Sequence, residues 1–117
     1  MIISDSEQKL MELIWENEPV KSGDLVRLAY ESMGWKKSTV YTVVKKLCGK
    51  GAIINENAVI TSLRCRDDVM GEKSEKMLNS SYGGSLPMFL TAFLKRERLT
   101  KEEAQELKKL IDEATDD

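Results

Sequence analysis

A chain of 117 residues with 41% hydrophobic and 32% charged content suffices for a compact small domain, and no apolar run approaches the roughly 18 to 20 residues of a membrane span. The absence of histidine removes His-based metal sites, general bases and nucleophile pairs, so neither an enzyme nor a metal or cofactor is expected. A net charge of -2 argues on average against a polyanionic partner. The charge is uneven, however, with ten Lys/Arg against eight Asp/Glu over residues 1–66 and eight against twelve over residues 67–117.

The opening Met-Ile-Ile-Ser-Asp has no basic stretch followed by a long apolar segment, and a cytoplasmic location is expected. Ser4-Asp5-Ser6-Glu7 has the spacing of a capping box, which predicts a first helix over about 5–16, with Leu10, Leu13 and Ile14 on its inner face. Asn17-Glu18-Pro19 ends that helix, because proline disfavours helical backbone before it. Val20 follows as an extended link, and Ser22 is the expected N-cap of a second helix that runs to about Glu31 with Leu25, Val26, Leu28 and Ala29 buried. Ser32-Met33-Gly34 breaks it.

A third helix is predicted from Lys37 to about Lys50. Val40, Val43, Val44 and Leu47 recur at i, i+3, i+4 and i+7 as its inner face, and Gly49-Lys50-Gly51 stops it. Residues 52–55 and 59–65 are β-prone runs joined by Glu56-Asn57-Ala58 and read as a hairpin. Helix, turn, helix, hairpin is the order of a winged helix-turn-helix. After residue 67 the composition becomes helical. One helix is expected over about 68–80, then a Ser81-Tyr82-Gly83-Gly84-Ser85 break and a helix from Leu86 to Lys95 with Pro87 in its first turn. A last helix opens at a second capping box, Thr100 to Glu103, and ends in an acidic Asp116-Asp117 tail. The expected architecture is mainly α with a small β-hairpin: a winged-helix domain over 1–67 and a three-helix dimerisation module over 68–117.

A helix that enters the DNA major groove needs short polar or cationic side chains near its N-terminus and flanking cations for phosphates. Residues 32–55 contain five lysines and no carboxylate. The candidate DNA-binding set is Lys36, Lys37, Ser38, Thr39, Tyr41, Thr42, Lys45, Lys46 and Lys50. The competing reading is that these lysines only complement the helix C-terminal dipole and keep the surface soluble, in a winged-helix protein-interaction module without sequence-specific DNA binding. Arg64 and Arg66 either reach a groove or phosphate, or pair with acidic residues of the tail. Trp15 and Trp35 are assigned to packing, and Cys48 and Cys65, far apart and outside any Cys-x-x-Cys pair, to buried or half-buried reduced thiols. Leu86, Phe89, Leu90, Phe93 and Leu94 form a stripe too apolar for an exposed helix. The stripe is either intrachain core or an interface with a second copy; the short tail favours the interface, and with Leu107, Leu110 and Ile111 these residues are the candidate contacts of a homodimer.

Several of these stretches resemble the penicillinase and methicillin-resistance repressors, the BlaI/MecI family, to which the copper-responsive CopY repressors are related. Ser4 to Glu7 with Leu10-Met11 and Ile14-Trp15 is similar to the family's opening helix. Gly34-Trp35 with Ser38 to Leu47 and Lys50-Gly51 is similar to its recognition helix, and Tyr82 to Ser85 with residues 86–109 to its dimerisation module. The resemblance implies a homodimer on an inverted-repeat operator that blocks transcription of resistance genes. It further implies release through cleavage of the tail by a membrane-bound, β-lactam-sensing protease, and it places the cut at Ala92-Phe93, with alanine where the family has asparagine. Lys36-Lys37 stands where the family often has Ser-Pro, and Asn55-Glu56-Asn57 is acidic where relatives carry basic residues. The C-terminal Cys-x-Cys cluster of the copper-responsive relatives is missing.

Overall fold

The computed structural model describes residues 2–116; Met1 and Asp117, the ends of the opening segment and of the acidic tail, lie outside the described residues. The elements run α1 (Asp5–Asn17), β1 (Val20–Lys21), α2 (Ser22–Met33), α3 (Lys37–Gly49), β2 (Ile53–Glu56), β3 (Val59–Ser62), α4 (Arg66–Tyr82), α5 (Leu86–Leu94) and α6 (Lys101–Ala114). The chain divides into two compact units, residues 1–75 and 76–117. The division falls within α4, whereas residue 67, where the sequence changes composition, is in that helix's first turn.

The first unit is built around α1. Its capping box is formed as expected: the Ser4 hydroxyl accepts from Glu7 N–H, and the Glu7 carboxylate accepts from Ser4 N–H. Leu10, Met11 and Ile14 then project into a core with Leu25 and Ala29 of α2, Val40, Val43, Val44 and Leu47 of α3, Ile53 and Ile60 of the sheet, and Val69 of α4. A large aliphatic side chain buried this completely contributes about 1.5–3 kcal/mol. The apolar period of α3 therefore decides which of its faces is left for a partner.

The hairpin joins a third strand that the sequence did not reveal. The order is β1-β3-β2, all antiparallel, with Val20 opposite Ile60 and Lys21 opposite Val59. This pairing corrects the expected start of the second helix. The Ser22 N–H donates to the Ala58 carbonyl at 2.8 Å, so Ser22 is the first helical residue, and Lys21 is the N-cap without a side-chain cap. The hairpin turn is Asn57-Ala58 with φ of 53° and 62°, the positive values that a two-residue type I′ connection requires. The Glu18 carboxylate accepts from the Ser62 N–H (2.9 Å) and hydroxyl (2.8 Å), which ties the exit of α1 to β3.

Cys65 is exposed, a correction to the expected buried or half-buried thiol; it directly precedes α4, whose inward residue is Val69, four positions on. Cys48 is half-buried as expected. In the second unit the Tyr82 and Phe89 rings meet edge to face at 5.4 Å, and Phe89 stacks on Phe93 at 6.1 Å. Thr100 and Glu103 form the second capping box, and Ser85 caps α5. Among its described residues no side chain is buried.

Candidate nucleic-acid interface

Helix α3 lies on α1 and α2 with Val40, Val43, Val44 and Leu47 inward, which leaves Lys37, Ser38, Thr39, Tyr41, Thr42, Lys45 and Lys46 exposed. At 3.6 residues per turn, Ser38, Thr42 and Lys45 fall along the middle of the outer face, Tyr41 on one flank, Thr39 and Lys46 on the other. The face has no carboxylate. Lys36 is the N-cap, extended and exposed, and makes no side-chain capping bond. The Lys37 ammonium sits 5.7 Å from the centre of the Tyr41 ring, a cation–π contact that orders both side chains at the start of the helix. The Thr42 hydroxyl donates to the Ser38 carbonyl at 2.9 Å, so what it has left to offer a partner is its acceptor lone pairs.

All nine candidates thus lie on α3 or at one of its caps, but Lys50, the C-cap, differs from the other eight in its contacts. Its Nζ lies 2.7 Å from Glu7 Oε1 and 2.6 Å from the Ile2 carbonyl oxygen. Burial by itself raises the Glu7 carboxyl. The hydrogen bond from Lys50 and those from the Ser4 N–H and hydroxyl outweigh it, and the group is held below the usual carboxylate range. Sequence reasoning gave Glu7 only its capping role, because the partner lies 43 residues away and no local pattern announces it.

Arg64 and Arg66 are both engaged with carboxylates. Arg64 bonds Glu72 at 2.6 Å, and Arg66 grips both oxygens of Glu12 at 2.9 and 3.1 Å. The Trp15 indole N–H donates to the Arg64 carbonyl at 2.9 Å. Lys73 bonds Asp5 at 3.0 Å and also the Gln8 side chain. These contacts, with Val69 buried and Met70 packed on the core, seat the first turns of α4 on α1. Trp35 packs half-buried against the core directly before α3. The wing tip, Glu56 to Val59, is exposed and carries one acidic and no basic side chain.

In the second unit Leu86, Phe93, Leu94, Leu110 and Ile111 are exposed by 41–55%, and Phe89, Leu90 and Leu107 are half-buried. Ala92-Phe93 lies in the last turn of α5. Among the described residues no group of three or more His, Cys, Asp or Glu is placed to hold a metal, and no helix is long and apolar enough to cross a membrane.

Three helices with the third presenting a cationic, carboxylate-free face, followed by a hairpin in a three-stranded sheet, define a winged helix-turn-helix protein. The family model described as Penicillinase repressor matches residues 3–113. The chain is 28% identical over 115 residues to the penicillinase repressor of Bacillus licheniformis, covering 95% of this chain and 90% of that one. It is 24% identical over 113 residues to the methicillin resistance regulatory protein MecI of Mammaliicoccus sciuri (93% and 92%), and 27% identical over 115 residues to the penicillinase repressor of Staphylococcus aureus (95% and 91%). The chain belongs to the penicillinase repressor family, whose members carry the names of transcriptional regulators and not of enzymes.

Proposed function

We propose that this protein is a homodimeric repressor that binds an inverted-repeat operator, with α3 of each protomer in the major groove. The observation that carries the reading is the outer face of α3, where hydroxyls line the middle and lysines stand at both ends with no carboxylate among them. Ser38, Thr39 and Thr42 meet base edges, Tyr41 meets a phosphate or sugar, and Lys36, Lys37, Lys45 and Lys46 neutralise phosphates. DNA binding falls to the winged-helix portion and dimerisation to the helical portion. A unit in which no described side chain is buried supports the latter assignment, because apolar stripes on α5 and α6 gain little until a second copy covers them. Two recognition helices about one turn of DNA apart, roughly 34 to 36 Å, then read a palindrome.

The names of the relatives, penicillinase repressor and methicillin resistance regulatory protein, support resistance genes as the targets. Release by a membrane-bound sensor protease acting at Ala92-Phe93 in the cytoplasm belongs to the same reading. The bond lies in the last turn of a nine-residue helix, where local opening is easiest.

The test is selection of bound duplexes from a random pool near physiological salt. An enriched inverted repeat with fixed half-site spacing is expected. No enrichment by folded, dimeric protein overturns the reading. The exposed acidic wing tip at Glu56 favours a second reading, a protein-interaction module. That reading predicts no micromolar binding to mixed duplex DNA even at low salt.

A further inference from the structure

The end of the recognition helix is held from inside the fold. Lys50, the C-cap of α3, bonds Glu7 Oε1 and the Ile2 carbonyl, and Glu7 is only 4% exposed. The same Oε1 accepts from the Ser4 N–H at 3.0 Å, while Oε2 is buried with no hydrogen-bond partner among the described residues. A single carboxylate oxygen therefore links the N-terminal cap of α1 to the C-terminal cap of α3. The root of the wing begins at that cap: Gly51 takes φ 74°, Ala52 N–H returns to the Leu47 carbonyl at 3.0 Å, and Leu63 N–H donates to the Ala52 carbonyl at 2.8 Å. Among Lys36, Lys37, Lys45, Lys46 and Lys50, only Lys50 is in an ion pair within the described residues.

We propose that Lys50 and Glu7 are positioning residues for DNA recognition: their pair, a half-exposed ammonium on a buried carboxylate, fixes the last turn of α3 and the root of the wing against α1, and Lys50 neutralises no phosphate. The proposal rests on the DNA-binding reading above. Apolar packing along α3 resists its separation from the core but only weakly resists small rotations about its own axis, because dispersion contacts are non-directional. A charged hydrogen bond at one end has a direction and sets that rotation. Base contacts need hydroxyls placed to within hydrogen-bond tolerance, whereas phosphate attraction is long-ranged and tolerant. Loss of the clamp accordingly reduces discrimination while leaving the electrostatic part of binding intact.

The experiment uses the full chain as wild type, K50M, E7Q, the double variant, and K45A as a phosphate-contact control. Each is assayed at a temperature where circular dichroism shows it folded. Affinity is measured for the duplex enriched from the random pool and for a mixed-sequence duplex, between 50 and 200 mM salt. K50M and E7Q are each expected to weaken the enriched duplex about fivefold or more, the scale of one lost base contact, with mixed-duplex affinity and both salt slopes unchanged. The double variant is expected to lose no more than either single one, as for two members of one pair. E7Q keeps the size of the side chain and carries the test alone should K50M fail to fold. A K50M slope that falls as the K45A slope does, or an E7Q variant that binds the enriched duplex as well as wild type, overturns the proposal. Wild type that binds neither duplex instead removes the DNA-binding reading, and the proposal with it.

Discussion

Replacement of Lys45 by alanine separates a phosphate contact from a solvated surface charge. Lys45 lies on the middle of the exposed face of α3 and makes no ion pair among the described residues, and alanine is a better helix former, so the fold should be untouched. Each phosphate neutralised contributes about 0.9 to the slope of log affinity against log salt, and a dimer loses two, so the slope should fall by about 1.8. Over a fourfold rise in salt, from about 50 to about 200 mM, wild type should therefore lose about twelvefold more affinity than the variant. Fluorescence anisotropy on a labelled duplex across that range measures both slopes. If Lys45 served only the helix dipole, the slope would stay as in wild type and unfolding would become easier by about 0.3–1 kcal/mol. That pair of results would refute the placement of α3 on DNA.

Leu47→Ala removes a fully buried side chain between α3 and the core and should cost about 2–5 kcal/mol in urea unfolding; a loss under 1 kcal/mol would contradict the packing described. Ala58→Gly should stabilise by about 0.5 kcal/mol or more, because alanine at φ 62° carries the left-handed steric cost that glycine escapes, and a lower urea midpoint would count against the turn geometry. Phe93→Asp puts a charge on the apolar stripe of α5 and should convert the proposed dimer to monomer by light scattering, whereas a dimeric mass in the variant would move the proposed interface elsewhere. Acid should destabilise the fold through Glu7 and Asp5, whose carboxyls are held below their ordinary values of 4.5 and 3.8. Burial raises Glu7, but its bonds from Lys50 and Ser4 prevail, and Asp5 is lowered by its hydrogen bond from Lys73. Both groups bind protons more weakly folded than unfolded, so their contribution is complete above the ordinary values and disappears as pH falls through the lowered ones. Urea midpoints should drop roughly between pH 5 and pH 3, less so in E7Q, and an E7Q profile that superimposes on wild type would be the contrary result.

Much of the local structure was legible because its signals act between near neighbours in the chain. The capping boxes at Ser4 and Thr100 formed as their spacing predicts, and the period of Val40, Val43, Val44 and Leu47 turned the hydroxyls and lysines of α3 outward. A cap or an amphipathic face is satisfied by neighbours one turn away, so the sequence states it directly. Strand β1 escaped notice because two residues carry no period, and its existence depends on β3 lying alongside.

Ser22 was displaced from cap to first helical residue by the Ala58 carbonyl, again a partner from a distant segment. The two alternatives for Arg64 and Arg66 could not be resolved from composition, since any arginine near many carboxylates has several partners until the chain folds. Folding brought Glu72 to one and Glu12, 54 residues away, to the other. The amino-acid sequence by itself determined the helices, their faces and the cationic stretch. Only the tertiary structure decided that Lys50 pairs with Glu7 while Lys45 and Lys46 make no ion pair among the described residues, because the carboxylate within reach of a lysine depends on what packs beside the helix end.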